Sequence, residues 1–214
     1  MKLLIFGDIH GNLVALEKML NAEKGQYDIM VCHGDVVNYG PWSNECVELL
    51  NNINCPCTIG NHEEAFLAGD YTGKNLLVKR FFSQTYKSFN NLDIISNYTK
   101  QIIIEDFKIT HTVNDSYYFP DSNLSTLKLE MNTIIGHSHY PFIRNDSVKN
   151  LFINTGSVGQ NRKNLSIINY LILDTITKKA EIKNLEYEPK FLISEMKAQN
   201  YPIECIAYYN SKIK

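Results

Sequence analysis

The chain has six histidines, and five of them occur in a setting that favours metal binding. Each of the five lies at or just past the end of a predicted strand, and carboxylate or amide residues lie in the same positions; the full group is Asp8, His10, Asp35, Asn61, His62, His111, His137 and His139. Imidazole and oxygen donors without a thiolate favour divalent ions such as Mn, Fe, Zn, Co or Ni. Seven of these side chains are more ligands than one ion can coordinate, but seven suit two ions that share a bridging carboxylate.

These side chains can meet only if several strands end at one place. Residues 3–6 are an apolar run that predicts a buried strand, and Asp8 and His10 follow it directly. Residues 27–32 repeat this pattern and lead to Asp35. A strand, a helix and a second strand with short connections predict a right-handed parallel crossover. We therefore expect Asp8 and Asp35 at the same edge of one sheet.

The remaining periodicities predict further elements over most of the chain. In order, they are a helix over 13–21 capped by Asn12, a helix over 43–51 capped by Ser43, a strand over 57–59, one or two helices within 64–97, a hairpin over 101–111, a short helix over 122–128, strands over 133–135 and 151–154, a hairpin over 169–185, and helices over 189–199 and after Pro202. Residues 64–130 form a long excursion of the kind that makes a lid or a substrate wall. No linker divides the chain, so we expect one domain over 1–214.

Composition limits the classes of partner. The 214 residues are 44% hydrophobic and carry a net charge of −2, so the chain has no general attraction to nucleic acid or to anionic membranes. No apolar run is long enough to span a bilayer, and no signal-peptide pattern is present. Five cysteines at irregular spacing argue against a disulfide framework, and Cys55 and Cys57 lack the second pair that a tetrahedral site requires. We therefore expect a cytoplasmic protein without disulfides.

Five motifs in the chain strongly resemble the signature of the calcineurin-like metallophosphoesterase superfamily. That signature is Asp-x-His, Gly-Asp, Gly-Asn-His-Asp/Glu, a lone His and Gly-His-x-His, and here it is found at residues 8–10, 34–35, 60–63, 111 and 136–139. Residues 154–162, Asn-Thr-Gly-Ser-Val-Gly-Gln-Asn-Arg, are similar to a stretch of a small bacterial and archaeal branch. The order is complete, and the resemblance covers at least residues 3–139.

The resemblance implies a ligand set, a fold and a mechanism. One ion would be held by Asp8, His10 and His139, the other by Asn61, His111 and His137, and Asp35 would bridge them. Manganese is the preferred metal, with Fe, Zn, Ni, Co or Mg as alternatives. A metal-bridging hydroxide would attack the phosphorus in line with the leaving group, and His62 would protonate the leaving oxygen. The implied fold is α/β, a four-layer αββα sandwich of two mixed sheets.

The chain departs from the phosphoprotein phosphatase branch in its second motif. That branch continues with an Asp that orients the acid histidine and an Arg that grips phosphate, whereas here Asn38 and Tyr39 occupy those places. The departure argues against a protein phosphatase and leaves open what orients His62. Asn38, Tyr39 and Arg162 are candidate substrate contacts, and His33 matches no motif and is assigned a structural role. The aromatic residues 81, 82, 86 and 89 are interpreted as core packing.

The sequence thus favours a dinuclear metal-dependent phosphoesterase that acts on a small, nucleotide-like phosphodiester. One alternative is a phosphatase of the same superfamily for phosphoproteins or dinucleoside polyphosphates. The other is a binding scaffold that keeps this fold without turnover, which would predict degraded ligands. All seven ligands and His62 are present, which favours the enzyme. The sequence names neither the physiological substrate nor the oligomeric state.

Overall fold

The computed structural model describes all 214 residues and arranges nine strands in two mixed sheets. The first sheet has the order β2-β1-β8-β9 and the second has the order β3-β4-β5-β7-β6. The strands are β1 Lys2–Phe6, β2 Ile29–Cys32, β3 Gln101–Ile104, β4 Phe107–Thr110, β5 Asn132–Ile135, β6 Phe142–Asn145, β7 Leu151–Asn154, β8 Ile167–Asp174 and β9 Lys179–Glu186. Strands β1 and β2 pair in parallel, as do β4 with β5 and β5 with β7.

Seven helices flank the sheets, and all of them contribute side chains to the largest apolar core. They are α1 Leu13–Ala22, α2 Ser43–Asn52, α3 Asn61–Ala68, α4 Leu76–Tyr86, α5 Leu92–Ile95, α6 Lys190–Ala198 and α7 Ile203–Asn210. The predicted architecture of two mixed sheets flanked by helices is confirmed. None of the helices combines the length and the apolar character that crossing a bilayer requires.

Strand β1 is buried on both of its faces, which explains why its sequence is apolar without alternation. Leu3 and Ile5 point into the core between the two sheets, while Leu4 and Phe6 point into the core beneath the helices. All four side chains are fully buried. A strand fixed from both sides holds its carboxyl end rigidly, and residue 8 lies just past that end.

The outer face of the second sheet is covered by the irregular segment 113–130. Leu124 and Leu129 of this segment pack against Phe142 and Phe152 of the sheet. The prediction of a short helix over 122–128 is wrong, because these residues are irregular apart from a turn at 125–126. The predicted core role of the aromatic residues of α4 is confirmed, since Phe81 is fully buried.

Two further local predictions differ from the structure. Residues 57–59 do not form a full strand, because Cys57 and Thr58 make only isolated bridges, to Cys32 and Thr99. Ser43 is the first residue of α2 and not its cap; its hydroxyl accepts a hydrogen bond from the Asn38 backbone N–H at 3.0 Å. The Asn12 cap of α1 is confirmed, with its side chain accepting from the Ala15 N–H at 3.2 Å. Strand β6 had no clear signal in the sequence, because only one of its four residues is buried.

Candidate metal centre

The loops that follow β1, β2, β4 and β5 bring their polar side chains together at one edge of the two sheets. Two groups have ligand atoms that all lie within 4.8 Å of one another. The first group is Asp8, His10, Asp35 and His139, and the second is Asp35, His111 and His137. Asp35 therefore belongs to both groups, as a carboxylate that bridges two ions would.

Short distances define the first group. His139 Nε2 lies 3.2 Å from Asp8 Oδ1 and 3.1 Å from His10 Nε2. His10 Nε2 also lies 3.8 Å from both Asp8 Oδ1 and Asp35 Oδ2. All four side chains are almost completely shielded from solvent. Two carboxylates and two imidazoles thus face a common point in a buried environment.

The second group is built around His111. Its Nε2 atom lies 3.2 Å from Asp35 Oδ2, 3.1 Å from His137 Nδ1 and 3.2 Å from Asn61 Oδ1. Asn61, the first residue of α3, is therefore positioned with the residues that the sequence analysis assigned to the same ion. The structure brings together all seven predicted ligands in the two predicted groups.

The hydrogen bonds behind the first group show that its residues fit a cation. Nδ1 of His10 lies 3.3 Å from the Val37 carbonyl oxygen, and Nδ1 of His139 lies 2.7 Å from the Gln160 carbonyl oxygen. Because a carbonyl oxygen only accepts, both Nδ1 atoms carry the proton, and the two Nε2 atoms face each other with lone pairs. Asp8 Oδ1 beside them is buried without a hydrogen-bond partner. A divalent ion would satisfy all three atoms.

The backbone of the ligand loops is strained. Five of the ligands have left-handed backbone conformations, with φ between 47° and 68°: Asp8, His10, Asp35, His137 and His139. Non-glycine residues rarely adopt this region, although Asp and His do so more readily than most. Such conformations cluster at functional sites because they aim side chains that regular structure cannot aim. Both members of the Asp8–His10 pair reach the first group, whereas His139 reaches the first group and His137 the second.

Two glycines of the motifs are required because a side chain would collide with a ligand. A Cβ atom on Gly60 would overlap Asp35 Oδ1, and one on Gly136 would overlap Asp8 Oδ2 and the ring of His33. His33 is fully buried, and its Nε2 atom lies 2.7 Å from the Thr155 hydroxyl. This contact fits the structural role predicted for His33. It also gives a hydrogen-bond partner to Thr155, the residue that replaces the proline of the related branch.

Glu63 organises the loop that carries the bridging carboxylate. Its Oε2 accepts hydrogen bonds from the N–H groups of Asp35 and Gly60, both at 2.8 Å, and its Oε1 accepts from those of Val36 at 2.7 Å and Val37 at 3.1 Å. Burial and the neighbouring Asp35 carboxylate raise the pKa of Glu63 to about 7, against the effect of these donors. One side chain thus satisfies four backbone donors next to the metal ligands.

Glu63→Gln is expected to destabilise the protein by about 2 to 4 kcal/mol, because an amide NH₂ would face two N–H groups that need an acceptor. Chemical unfolding of the metal-free protein measures this loss. Glu64→Gln, at the next position and exposed, is the matched control and should change the free energy of unfolding by less than about 0.5 kcal/mol. Equal stability of the two variants would contradict the role of Glu63.

Asn38 is the residue that orients His62. It is fully buried and does not line the cavity beside the metal ligands, so the structure places this predicted substrate contact behind His62. Asn38 Nδ2 lies 2.8 Å from His62 Nδ1, while Asn38 Oδ1 accepts from the Tyr39 N–H at 2.7 Å and lies 3.1 Å from the Thr85 hydroxyl. The amide nitrogen therefore donates to Nδ1, which leaves the proton of neutral His62 on Nε2. Burial lowers the pKa of His62, which favours this neutral form.

Asn38→Asp is expected to change the protonation of His62. The new carboxylate would accept from Nδ1, so both ring nitrogens would carry protons near neutral pH and the pKa of His62 would rise. Nitrogen NMR of the imidazoles distinguishes these forms without any turnover. Asn51→Asp, an exposed change of the same chemistry, is the control. An unchanged His62 spectrum in Asn38→Asp would show that the hydrogen bond does not set the tautomer.

A cavity of about 400 Å³ opens next to the metal ligands. Asp35, Asn61, His62, His137 and His139 line it, together with the predicted substrate contacts Tyr39 and Arg162. The Tyr39 ring makes edge contacts with the rings of His10 and His62, at centroid distances of 4.8 and 5.1 Å. Residues of the predicted wall, including Tyr71 and Tyr117, form part of its lining. The site thus has room for a substrate beside the ligands and His62.

Residues 1–158 match the family model of the calcineurin-like phosphoesterases, and the protein belongs to this family. The family match, together with a buried Asp/His group that could hold metal at the edge of two mixed sheets, makes it a metal-dependent phosphoester hydrolase. The resemblance predicted from the motifs is confirmed.

Relatives with the same overall architecture occur in archaea and bacteria. The protein MJ0912 of Methanocaldococcus jannaschii is 30% identical over 213 residues, which covers 87% of this chain and 88% of that protein. A metallophosphoesterase from Sphaerobacter thermophilus has a TM-score of 0.82 at 23% identity, with complete coverage of both chains. A structure described as a novel archaeal phosphodiesterase has a TM-score of 0.52 at 21% identity and covers 86% of this chain and all of its own. At these identities the two structures establish a shared fold.

Proposed function

We propose that the protein hydrolyses phosphodiesters at a centre of two divalent metal ions, with manganese as the preferred ion. The observation that carries this proposal is the position of Asp35, whose carboxylate belongs to both ligand groups. Two ions bound there would supply positive charge to the phosphate and activate a water molecule for attack. The archaeal phosphodiesterase of similar fold supports the choice of a diester.

In this proposal the protein side chains divide the remaining work. His62 gives its Nε2 proton to the leaving oxygen, and the ring then regains a proton at Nε2 from water in the cavity. Asn38 holds the ring so that this proton is on the correct nitrogen. Tyr39 and Arg162 line the cavity and contact the substrate, which we take to be a small, nucleotide-like phosphoester. All five cysteines are free, which supports the accompanying proposal of a reducing, cytoplasmic environment.

The test is reconstitution of metal-depleted protein. Separate samples loaded with Mn, Fe, Zn, Ni, Co or Mg are assayed with bis-p-nitrophenyl phosphate, p-nitrophenyl phosphate and a dinucleoside polyphosphate, and bound metal is counted by elemental analysis. We expect two ions per chain and the highest kcat/KM for the diester with Mn. One ion per chain would overturn the dinuclear centre, preference for the monoester or the polyphosphate would overturn the diester assignment, and no turnover by fully loaded protein would favour a binding scaffold.

The affinity for metal is expected to rise with pH. Burial lowers the pKa of His111, but the Asp35 carboxylate outweighs burial and raises the pKa to about 10. A cation that uses His111 Nε2 must displace this proton, so affinity should increase about tenfold per pH unit between about pH 6 and 8. Competition with a chromogenic chelator at several pH values measures the slope. A flat profile would contradict the protonation of His111 in the metal-free protein.

A further inference from the structure

The cavity has a second set of lining residues that the metal centre does not use. Four tyrosines and two cationic side chains belong to it: Tyr71, Tyr117, Tyr140, Tyr208, Arg162 and Lys212. They come from the excursion after α3, the loops after β4, β5 and β7, and the C-terminal helix region. This set, the tyrosine wall, shares one cavity with Asp35, Asn61, His62, His137 and His139.

The two cations of the tyrosine wall have no acidic partner. Neither Arg162 nor Lys212 forms a salt bridge, and the one acidic residue that lines the cavity, Asp35, belongs to the metal ligands. Arg162 Nε is buried without a hydrogen-bond partner. A buried donor without an acceptor costs free energy. An unpaired Arg162 Nε in a residue that lines a cavity therefore indicates that an anionic ligand supplies the acceptor.

Arg162, Lys212 and Tyr208 line the same cavity. Lys212 Nζ is 5.4 Å from the centroid of the Tyr208 ring. Burial raises the pKa of Tyr39, Tyr117 and Tyr208, and the positive charge of Arg162 opposes that rise at all three. The cavity lining therefore carries two positive charges, and that of Lys212 lies beside the ring of Tyr208.

The aromatic part of the wall begins at the metal centre. The Tyr117 ring stacks on the ring of the ligand His137, with centroids 4.0 Å apart and an angle of 27°. Tyr117 is half exposed, so part of its surface is free for contact with a bound molecule. An aromatic side chain can stack on a nucleobase of any identity, because every base has a flat π face. A substrate with its phosphoester at the proposed metal centre would thus have the Tyr117 ring beside it, and the charges of Arg162 and Lys212 elsewhere in the same cavity.

We propose that Arg162 and Lys212 form a second anion subsite, and that the substrate carries a further phosphate group in addition to the phosphoester that is cleaved. This inference rests on the proposed function for the position of the reacting phosphate. The chemical class is a nucleotide phosphodiester with an additional phosphate on its sugar. The metal centre takes the reacting group, the tyrosines take the base, and Arg162 and Lys212 take the additional phosphate.

A matched pair of substrates tests the subsite. Both are p-nitrophenyl esters of thymidine 5′-phosphate, and one of them carries a 3′-phosphate. We expect the 3′-phosphate to lower KM about tenfold or more in the native protein, since charge-assisted hydrogen bonds are the strong ones. In Lys212→Gln this ratio of KM values should fall toward one, while Lys214→Gln, an exposed lysine near the same end of the chain, should keep the native ratio.

Binding without turnover separates this inference from the proposed function. Calorimetric titration of thymidine 3′,5′-bisphosphate into metal-free protein should show weaker binding to Lys212→Gln and Arg162→Lys than to the native protein. If neither ester is hydrolysed but the variants still bind the bisphosphate more weakly, the diesterase proposal fails and the subsite stands. If both esters are hydrolysed with equal KM and the variants bind the bisphosphate as tightly as the native protein, the subsite is overturned.

Discussion

Asp35→Asn is expected to lower diester hydrolysis by at least about a thousandfold and to reduce the bound metal to one ion per chain or fewer. The carboxylate is the one side chain that belongs to both ligand groups, so its loss would remove the negative charge that the two proposed ions share. Charge stabilisation of this kind contributes several kcal/mol to the transition state, which corresponds to about a thousandfold in rate. Turnover and elemental analysis on the same preparation measure both effects.

The substitution conserves shape, so its effect can be assigned to charge. Asp35 Oδ1 also accepts a hydrogen bond from the backbone N–H of His62 at 3.0 Å, and the side-chain oxygen of an asparagine can accept the same bond. Asp121→Asn, an exposed change of the same chemistry, is the control. Two ions per chain together with more than about a tenth of the native rate would show that Asp35 does not bridge the ions.

His62→Ala is expected to slow the hydrolysis of diesters with alkoxide leaving groups by about a hundredfold to ten-thousandfold, the usual contribution of a general acid. It should slow the release of p-nitrophenolate by a few-fold only, because this anion is stable near neutral pH and needs no proton. Thymidine 5′-(p-nitrophenyl phosphate) and a thymidine dinucleotide provide the two leaving groups. The ratio of their kcat values is the measurement.

The comparison of leaving groups distinguishes acid catalysis from a structural role. His62 follows the ligand Asn61 in α3, so its loss could disturb the metal site. Elemental analysis of His62→Ala must therefore still find the native number of ions. An equal loss of rate with both leaving groups, at native metal content, would refute the assignment of His62 as the acid.

The grouping of the candidate ligands could be predicted from the sequence because it depends on strand ends. An apolar run that stops at a glycine and is followed by Asp or His places that side chain at the edge of the sheet, whatever the rest of the chain does. Asp8, Asp35 and His137 each follow such a run, and each is found in the centre. The pattern is local, and the parallel crossover rule then brings the separate pieces together.

Position 38 was indicated by the resemblance, but the contact that fixes the Asn38 side chain behind His62 could not be predicted, because it depends on how distant helices pack. Asn38 and Thr85 are 47 residues apart, and only the position of α4 brings the Thr85 hydroxyl to the Asn38 side chain. No periodicity encodes that contact. A polar residue within an aromatic helix, such as Thr85, is the one sequence signal that could have indicated it.

The sequence predicted the region of the cavity wall and one of its two cationic side chains, Arg162, but not Lys212. Residues 64–130 were expected to form a wall, and Tyr71 and Tyr117 of this range do line the cavity. Arg162 and Lys212 reach it from other parts of the chain, since Lys212 follows α7 and its carbonyl oxygen accepts a hydrogen bond from the Leu165 N–H at 2.7 Å. Lys212 belongs to no sequence motif, so its position in the cavity could not be predicted from the sequence.

The left-handed backbone of the five ligands has a consequence for how this protein can evolve. Each such residue costs about 1 to 2 kcal/mol that glycine would not incur. Glycine at one of these positions would remove the strain together with a side chain of the proposed centre. A bound metal ion stabilises only the folded chain, so metal binding would offset the cost that these residues impose on folding. Substitutions that favour stability alone therefore compete with the proposed site at these positions.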